Sequence, residues 1–308
     1  MADMGATNLR ALSGASLAAL IAETVEGRLQ RDDATHISVQ PYKGRYIGVA
    51  SRLVDILAGF TRSQADNRID ATGADAGAAL AVDTLYYVYI SNDLATFSPD
   101  SIRCSTVAPS LVSGVKYLGV AGNALNWRFL GWVRTISNGG TPNFADSTTQ
   151  RLVVNYYNRR RVPIGPICPG YVDNNAYTSY SELGATGLVW RKANGGVGTT
   201  SQFISNGEDD VEIDFHGLVL TNIPVTVGLG VGVDGLEPVV RGFVYPGSTV
   251  YNDISGSRKT SAAEGYHTLD LILVLDDAAA TVTMYSDISR EGAAADPMAT
   301  YYDASVMA

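Results

Sequence analysis

Asp210, Glu212, Asp214 and His216 are spaced two residues apart along the chain. On a strand this spacing sets them on one side, with neighbours roughly 7 Å apart. Val211, Ile213 and Phe215 interleave with them, so one face is dry and the other wet. The separation overlaps the roughly 6.5–9.5 Å between the acid and base of inverting glycosidases. The same oxygens could also gather around Ca²⁺. An ordinary solvated strand face accounts for the pattern better, because strand carboxylates at this spacing are common and no second carboxylate motif stands beside it. The expectation is therefore no catalytic residue, no metal and no cofactor.

Other chemical motifs are weaker. Gly228-Leu229-Gly230-Val231-Gly232 lacks the third glycine of a dinucleotide fingerprint, and no helix follows it. There is no Walker-type glycine–lysine–serine/threonine run, and Gly14-Ala15-Ser16-Leu17-Ala18 has no strand before it to make a nucleophile elbow. His36, His216 and His267 stand far apart, and Cys104 and Cys168 make no C-x-x-C pair, so structural zinc has little support. His267 reads as a hydrogen-bonded sheet residue. The basic cluster Arg159-Arg160-Arg161 suits carboxylates on a neighbouring subunit or larger assembly, or a solvated turn. In an Asn/Ser/Thr-rich stretch, Tyr171, Tyr177 and Tyr180 lie near Asn174 and Asn175. Aromatic faces stack on sugar rings while amides bond their hydroxyls, which makes this group the candidate carbohydrate-binding patch.

The elements that must position these groups are mostly β. The 308 residues are 46% hydrophobic and 17% charged, enough for a sizeable core and against global disorder. A formal charge of −9 argues against general nucleic-acid binding, which needs clustered positive charge. Two cysteines exclude a disulfide-dense scaffold and leave open whether Cys104 and Cys168 meet. No apolar run reaches the ~18 residues of a membrane span. Met1-Ala2-Asp3-Met4 lacks the basic start of a secretory signal, so neither membrane insertion nor Sec export is expected. The 32 glycines, and 17 tyrosines against seven phenylalanines, suit a β-rich surface or assembly protein better than a metabolic enzyme.

Along the chain, Leu17, Leu20, Ile21, Val25 and Leu29 recur at helical spacing, with Ser13 or Ser16 as cap and Arg28 and Arg31 near the end. This helix packs on its own domain, or it associates with copies of itself or with a larger assembly through Leu17, Leu20 and Ile21. His36–Gln40 and Arg45–Val49 read as two strands around a Pro41–Gly44 turn. Residues 63–83, rich in Ala, Gly and Asp, read as a linker or long loop. Short aromatic and β-branched runs follow: Leu85–Ile90, Trp127–Arg134 and Arg151–Tyr157. They leave no room for βαβ crossovers. Pro163, Pro166 and Pro169 mark a stiff connector. Thr268–Leu275 and Ala280–Tyr285 read as a hairpin around Asp276-Asp277. The glycines at 228, 230 and 232 allow a close approach, either inside one sandwich or at the axis of a homotrimer. The expected fold is mainly β: two antiparallel β-sandwich or jelly-roll-like domains after a short N-terminal helix and attachment region. The expected division is 1–62 helix and attachment, 63–83 linker or loop, 84–162 first β domain, 163–170 connector and 171–308 C-terminal β domain.

With these residues in view, the chain resembles fibre, spike and decoration proteins of tailed bacteriophages and phage-like particles. The pieces that carry the resemblance are Asp83–Tyr89, Phe129–Thr135 and Gly265–Leu269. The resemblance implies a homotrimer with a particle-anchoring N-terminal part and an outward C-terminal part able to bind host surface polysaccharide. Assembly in the host cytoplasm, partnership with capsid or other virion proteins, and residence on the virion surface go with it. Without long repeats or heptads, a short head fibre, spike or capsid decoration protein fits better than a long tail fibre. The alternatives are a tail-associated receptor-binding protein, a carbohydrate-binding adhesin module outside any virus, and a polysaccharide-cleaving enzyme using Glu212 and Asp214.

Overall fold

The computed structural model describes residues 20–21, 23–50, 52–56, 60–63, 67–91, 98–119, 126–165, 191–192, 200–235, 237–245, 252–275, 282–285 and 301–308. The chain divides into two compact units. Unit 1 is Met1–Asp146, Leu152–Arg160 and Ala308; unit 2 is Ser147–Arg151 and Arg161–Met307. Both are built from β-sheets, and every strand pair but one is antiparallel among the described residues.

Unit 1 begins with β1 (Gly27–Arg31), β2 (His36–Pro41), β3 (Tyr46–Val49), β4 (Arg52–Asp55) and β5 (Phe60–Ser63). Next come β6 (Leu85–Ser91), β7 (Ile102–Ser105), β8 (Pro109–Val112), β9 (Val115–Leu118), β10 (Trp127–Asn138) and β11 (Thr141–Phe144). Strand β12 (Gln150–Arg151) belongs to unit 2, and β13 (Val153–Asn155) returns to unit 1. The sheets are β1-β2-β5, the pair β3-β4, and a larger sheet β7-β6-β10-β9-β8 in which β11 and β13 also pair with β10. Leu29, Ile37, Val39, Ile47, Val49, Tyr86, Val88, Ile90, Leu130 and Val133 form the shared core.

Two sequence expectations change here, and a third is narrowed to one of its alternatives. Only Leu20, Ile21 and Glu23 of the expected helix are helical among the described residues; Val25 bridges to Ile47, and β1 follows. The spacing Val25–Leu29 fits both periods, since residues four apart share a face on a helix and on a strand alike. Pairing decides for the strand: Gly27–Arg31 pairs with His36–Pro41 along its whole length. His36–Gln40 and Arg45–Val49 are both extended, but β2 pairs with β1 and β5 while β3 pairs with β4. The Ala/Gly/Asp-rich stretch is a long loop that buries Asn67, Ile69 and Leu80 and donates its Ala81 N–H to the Tyr86 hydroxyl at 2.7 Å.

Unit 2 adds β14 (Arg161–Ile164), β15 (Arg191–Lys192), β16 (Thr200–Asn206), β17 (Asp210–Thr221), β18 (Val227–Val233) and β19 (Pro238–Val244). It ends with β20 (Asn252–Ser261), β21 (Glu264–Leu275), β22 (Val282–Tyr285) and β23 (Tyr301–Met307). One sheet runs β12-β16-β21-β18-β19 with β15 on β21; the other runs β14-β23-β17-β20 with β22 on β17. Phe215 of β17 meets the glycine positions Gly242 of β19 and Gly256 of β20, so glycines make room for a ring between the two sheets.

Part of the expected proline connector is strand: β14 pairs with β23, with Pro163 opposite Ser305. This strand is an edge, where a residue without an N–H is tolerated. The hairpin expected around Asp276-Asp277 does not form. Strand β21 is already flanked by β18 and β15 at Ile272 and Leu273, so β22 crosses to pair with β17 in the other sheet. The glycine stripe has a local cause as well. A Cβ at Gly230 would approach the Val240 carbonyl and the side chains of Pro238 and Arg241, and one at Gly232 would meet the Gly235 carbonyl.

Candidate functional site

The acidic strand face forms as its alternation requires. Val211, Ile213 and Phe215 are buried, while Asp210 and Asp214 are exposed. Glu212 lies in a charge ladder that crosses the sheet. Arg161 on β14 reaches it at 3.0 Å and Lys259 on β20 at 2.5 Å, with the Ser305 hydroxyl of β23 donating at 3.4 Å. The Lys259 contact first, and the Arg161 charge with it, hold the Glu212 carboxyl below its ordinary range. A carboxylate so held is ionised near neutral pH and is a poor proton donor. His216 Nε2 lies 3.5 Å from Asp253. Among the described residues, no group of three or more His, Cys, Asp or Glu is placed to hold a metal ion.

The arginine triplet is split between uses. Arg159 sits over the Tyr156 ring at 5.7 Å, Arg160 exchanges backbone hydrogen bonds with Ala308, and Arg161 belongs to the ladder on Glu212. The triplet is thus not one basic turn, because the strand beginning at Arg161 takes that side chain onto another sheet.

Tyr87, Tyr89 and Tyr156 meet in an aromatic face on unit 1. Phe129 is ringed by Tyr87 (6.0 Å), Tyr89 (5.8 Å), Trp132 (4.8 Å) and Tyr156 (5.5 Å) between centroids. In a regular strand Phe129 and Trp132 would point to opposite sides. A bulge between Phe129 and Gly131 brings them to one face. The Lys116 ammonium lies over the Tyr156 ring at 4.2 Å and within 5.9 Å of Phe129 and Trp132, an aromatic box around a cation from the neighbouring strand.

Several polar residues that the sequence reading passed over hold the sheets together. The Asn155 amide pairs with both backbone groups of Leu29, accepting from its N–H at 2.7 Å and donating to its carbonyl at 2.8 Å. Asn158 donates to the carbonyls of Gly27 and Val25. Both sit in Asn-Tyr-Tyr-Asn; for Asn155, a polar residue in an apolar strand was the available signal. Buried Arg128 donates to the Gly48 and Thr24 carbonyls and lies 4.8 Å over the Tyr157 ring. His267, which the sequence already marked as a hydrogen-bonded sheet residue, is bound at both nitrogens, Nδ1 to Asp234 at 2.5 Å and Nε2 to the Ala263 carbonyl at 2.8 Å.

Of the expected attachment residues, Leu20 is exposed and Ile21 half-buried. Leu17, the patch Tyr171, Asn174, Asn175, Tyr177 and Tyr180, and Cys168 lie outside the described residues; Cys104 is buried. Among the described residues no helix is long and apolar enough to cross a membrane.

No family model matches the chain, and no curated protein matches it. Among solved structures, it is similar to one described as the structure of infectious bursal disease virus Gx strain. The identity is 11% and the TM-score 0.30, over 75% of this chain and 57% of that one. It is also similar to the insecticidal delta-endotoxin Cry8Ea1 from Bacillus thuringiensis, at 12% identity and TM-score 0.24, over 92% of this chain and 52% of that one. The chain therefore spans a little over half the length of either.

Proposed function

We propose that this chain is a structural protein of a virion surface: a short homotrimeric head fibre, spike or capsid decoration protein. Its N-terminal region attaches it to the particle, and its C-terminal unit binds host surface glycan through Tyr171, Asn174, Asn175, Tyr177 and Tyr180. The observation that supports a scaffold most directly is the use made of Glu212. The residue best placed for acid–base chemistry is instead bonded by Arg161 and Lys259 into a ladder across the sheet. Asn155, Asn158, Arg128 and His267 are used in the same way, each joining separate segments of chain.

Light scattering on the purified full chain tests the assembly. A mass near three times 32.6 kDa is expected, and a monomer at micromolar concentration would overturn the reading. For adhesion, the full chain should bind members of a glycan array and lose that binding on Tyr177→Ala; equal binding by the variant would remove the patch.

A further inference from the structure

The charge of this protein is divided unevenly. Unit 1 carries 14 Lys and Arg against 13 Asp and Glu, about +1, whereas unit 2 carries 8 against 18, about −10. On unit 1 two cations flank one exposed ring. The Arg28 guanidinium lies 5.5 Å and the Lys43 ammonium 5.8 Å from the centre of Tyr42, which is 49% exposed. The loop presenting Tyr42 and Lys43 is held from below. Both amides donate to the Glu26 carbonyl, while the Glu26 carboxylate accepts the N–H groups of Arg45 and Tyr46 at 2.8 and 2.9 Å. That carboxylate occupies the space a side chain at position 44 would need, so a larger residue there would displace it. Burial first, and then the Arg160 charge, hold the Arg28 guanidinium below its ordinary range, with Tyr42 and Asp146 offsetting part of this. An arriving anion would offset the repulsion between the two arginines.

On unit 2, Asp210 and Asp214 are exposed on β17, facing Ser261 and Ser257 of β20 in register. Asp253 of β20 is 61% exposed at its side chain and lies farther along the same two strands.

We propose that the Tyr42 surface of unit 1 receives the acidic β17–β20 face of unit 2 from a second copy of this chain, joining copies head to tail. Two different patches of opposite charge make a heterologous contact, which gives a closed ring where its rotation closes and an open filament where it does not. An aromatic ring flanked by arginine is a common interface anchor. The opposite charges steer the encounter. The inference rests on the self-assembly reading and names its contact.

The experiment measures mass by light scattering for four full-length chains: wild type, Lys43→Glu/Arg160→Glu, Asp210→Lys/Asp214→Lys, and the combination of all four changes. All four positions are exposed, so near-ultraviolet circular dichroism should match wild type in every variant. Each double reversal should weaken assembly by roughly tenfold or more, and the fourfold chain should regain it, since both partners then carry inverted charge. A monomeric wild type overturns the assembly reading itself. An assembled wild type whose mass neither reversal changes overturns this contact and leaves assembly standing. So does loss of heparin binding in Lys43→Glu/Arg160→Glu at unchanged mass, which would assign the surface to an anionic glycan.

Discussion

Gly131→Ala tests whether the β10 bulge is what assembles the aromatic face. A Cβ at this position would lie 3.1 Å from the Asn155 Cα and still closer to the Val154 carbonyl oxygen. Both belong to backbone paired directly with β10, so no flexible side chain can move aside. Either β13 shifts outward or the bulge is lost, and losing it would turn Trp132 away from Phe129. Overpacking of this kind costs about 1–3 kcal/mol. A loss of about 2 kcal/mol moves a urea midpoint by about 1 M when the slope is about 2 kcal/mol/M. The assay is urea unfolding followed by tryptophan fluorescence, with Trp127 and Trp132 both in unit 1, alongside near-ultraviolet circular dichroism of the ring cluster. Gly235→Ala is the control, because a Cβ there meets nothing within 4 Å; its midpoint should hold or rise slightly. Equal midpoints and spectra for Gly131→Ala and wild type would refute the reasoning.

Asn155→Ala strands two buried backbone groups of Leu29 and should cost about 2–4 kcal/mol, with early hydrogen exchange at Leu29; slow exchange at that amide would contradict it. Asp234→Ala removes the acceptor of the Thr268 N–H and a partner of His267, and should lower stability by about 1–2 kcal/mol in the same urea assay. The Thr35 N–H, with the His36 and Thr35 side chains, holds the Asp33 carboxyl down to about 2 from 3.8. Its folded value is the lower one, so the stability it contributes is complete above about pH 4 and is lost as pH falls through 2. Asp33→Asn should flatten this part of the acid-unfolding profile, and an unchanged profile would remove the assignment. Glu212 has the same sign, with stability lost as pH falls below its ordinary 4.5. Glu212→Gln should make melting temperature less sensitive to salt, since the ladder is exposed and screened.

Much of the architecture could be read from local pattern. Alternation in Val211–Phe215 places three side chains inside and the acids outside, and the short aromatic runs give strands because β-branched and aromatic residues fit a pleated, half-buried surface. The candidate site was legible only as a list of groups. The position of Glu212 on a wet face follows from its neighbours two residues away, but its neutralisation depends on Arg161 and Lys259, 51 and 47 residues distant in sequence. Nothing local records such a meeting.

By itself, then, the order of residues determined that this is a β protein, which face of Asp210–His216 is dry, and that its net negative charge lies in the later part of the chain. Those properties depend on side-chain type and a period of two, which act over a few residues. Tertiary structure alone decided that Val25–Leu29 is extended, that β22 leaves β21 for β17, and that a bulge turns Phe129 and Trp132 to one side. Each is a choice between local alternatives of similar energy. What tips it is the packing and hydrogen bonding of segments far apart in the chain, which exist only once the sheets have formed.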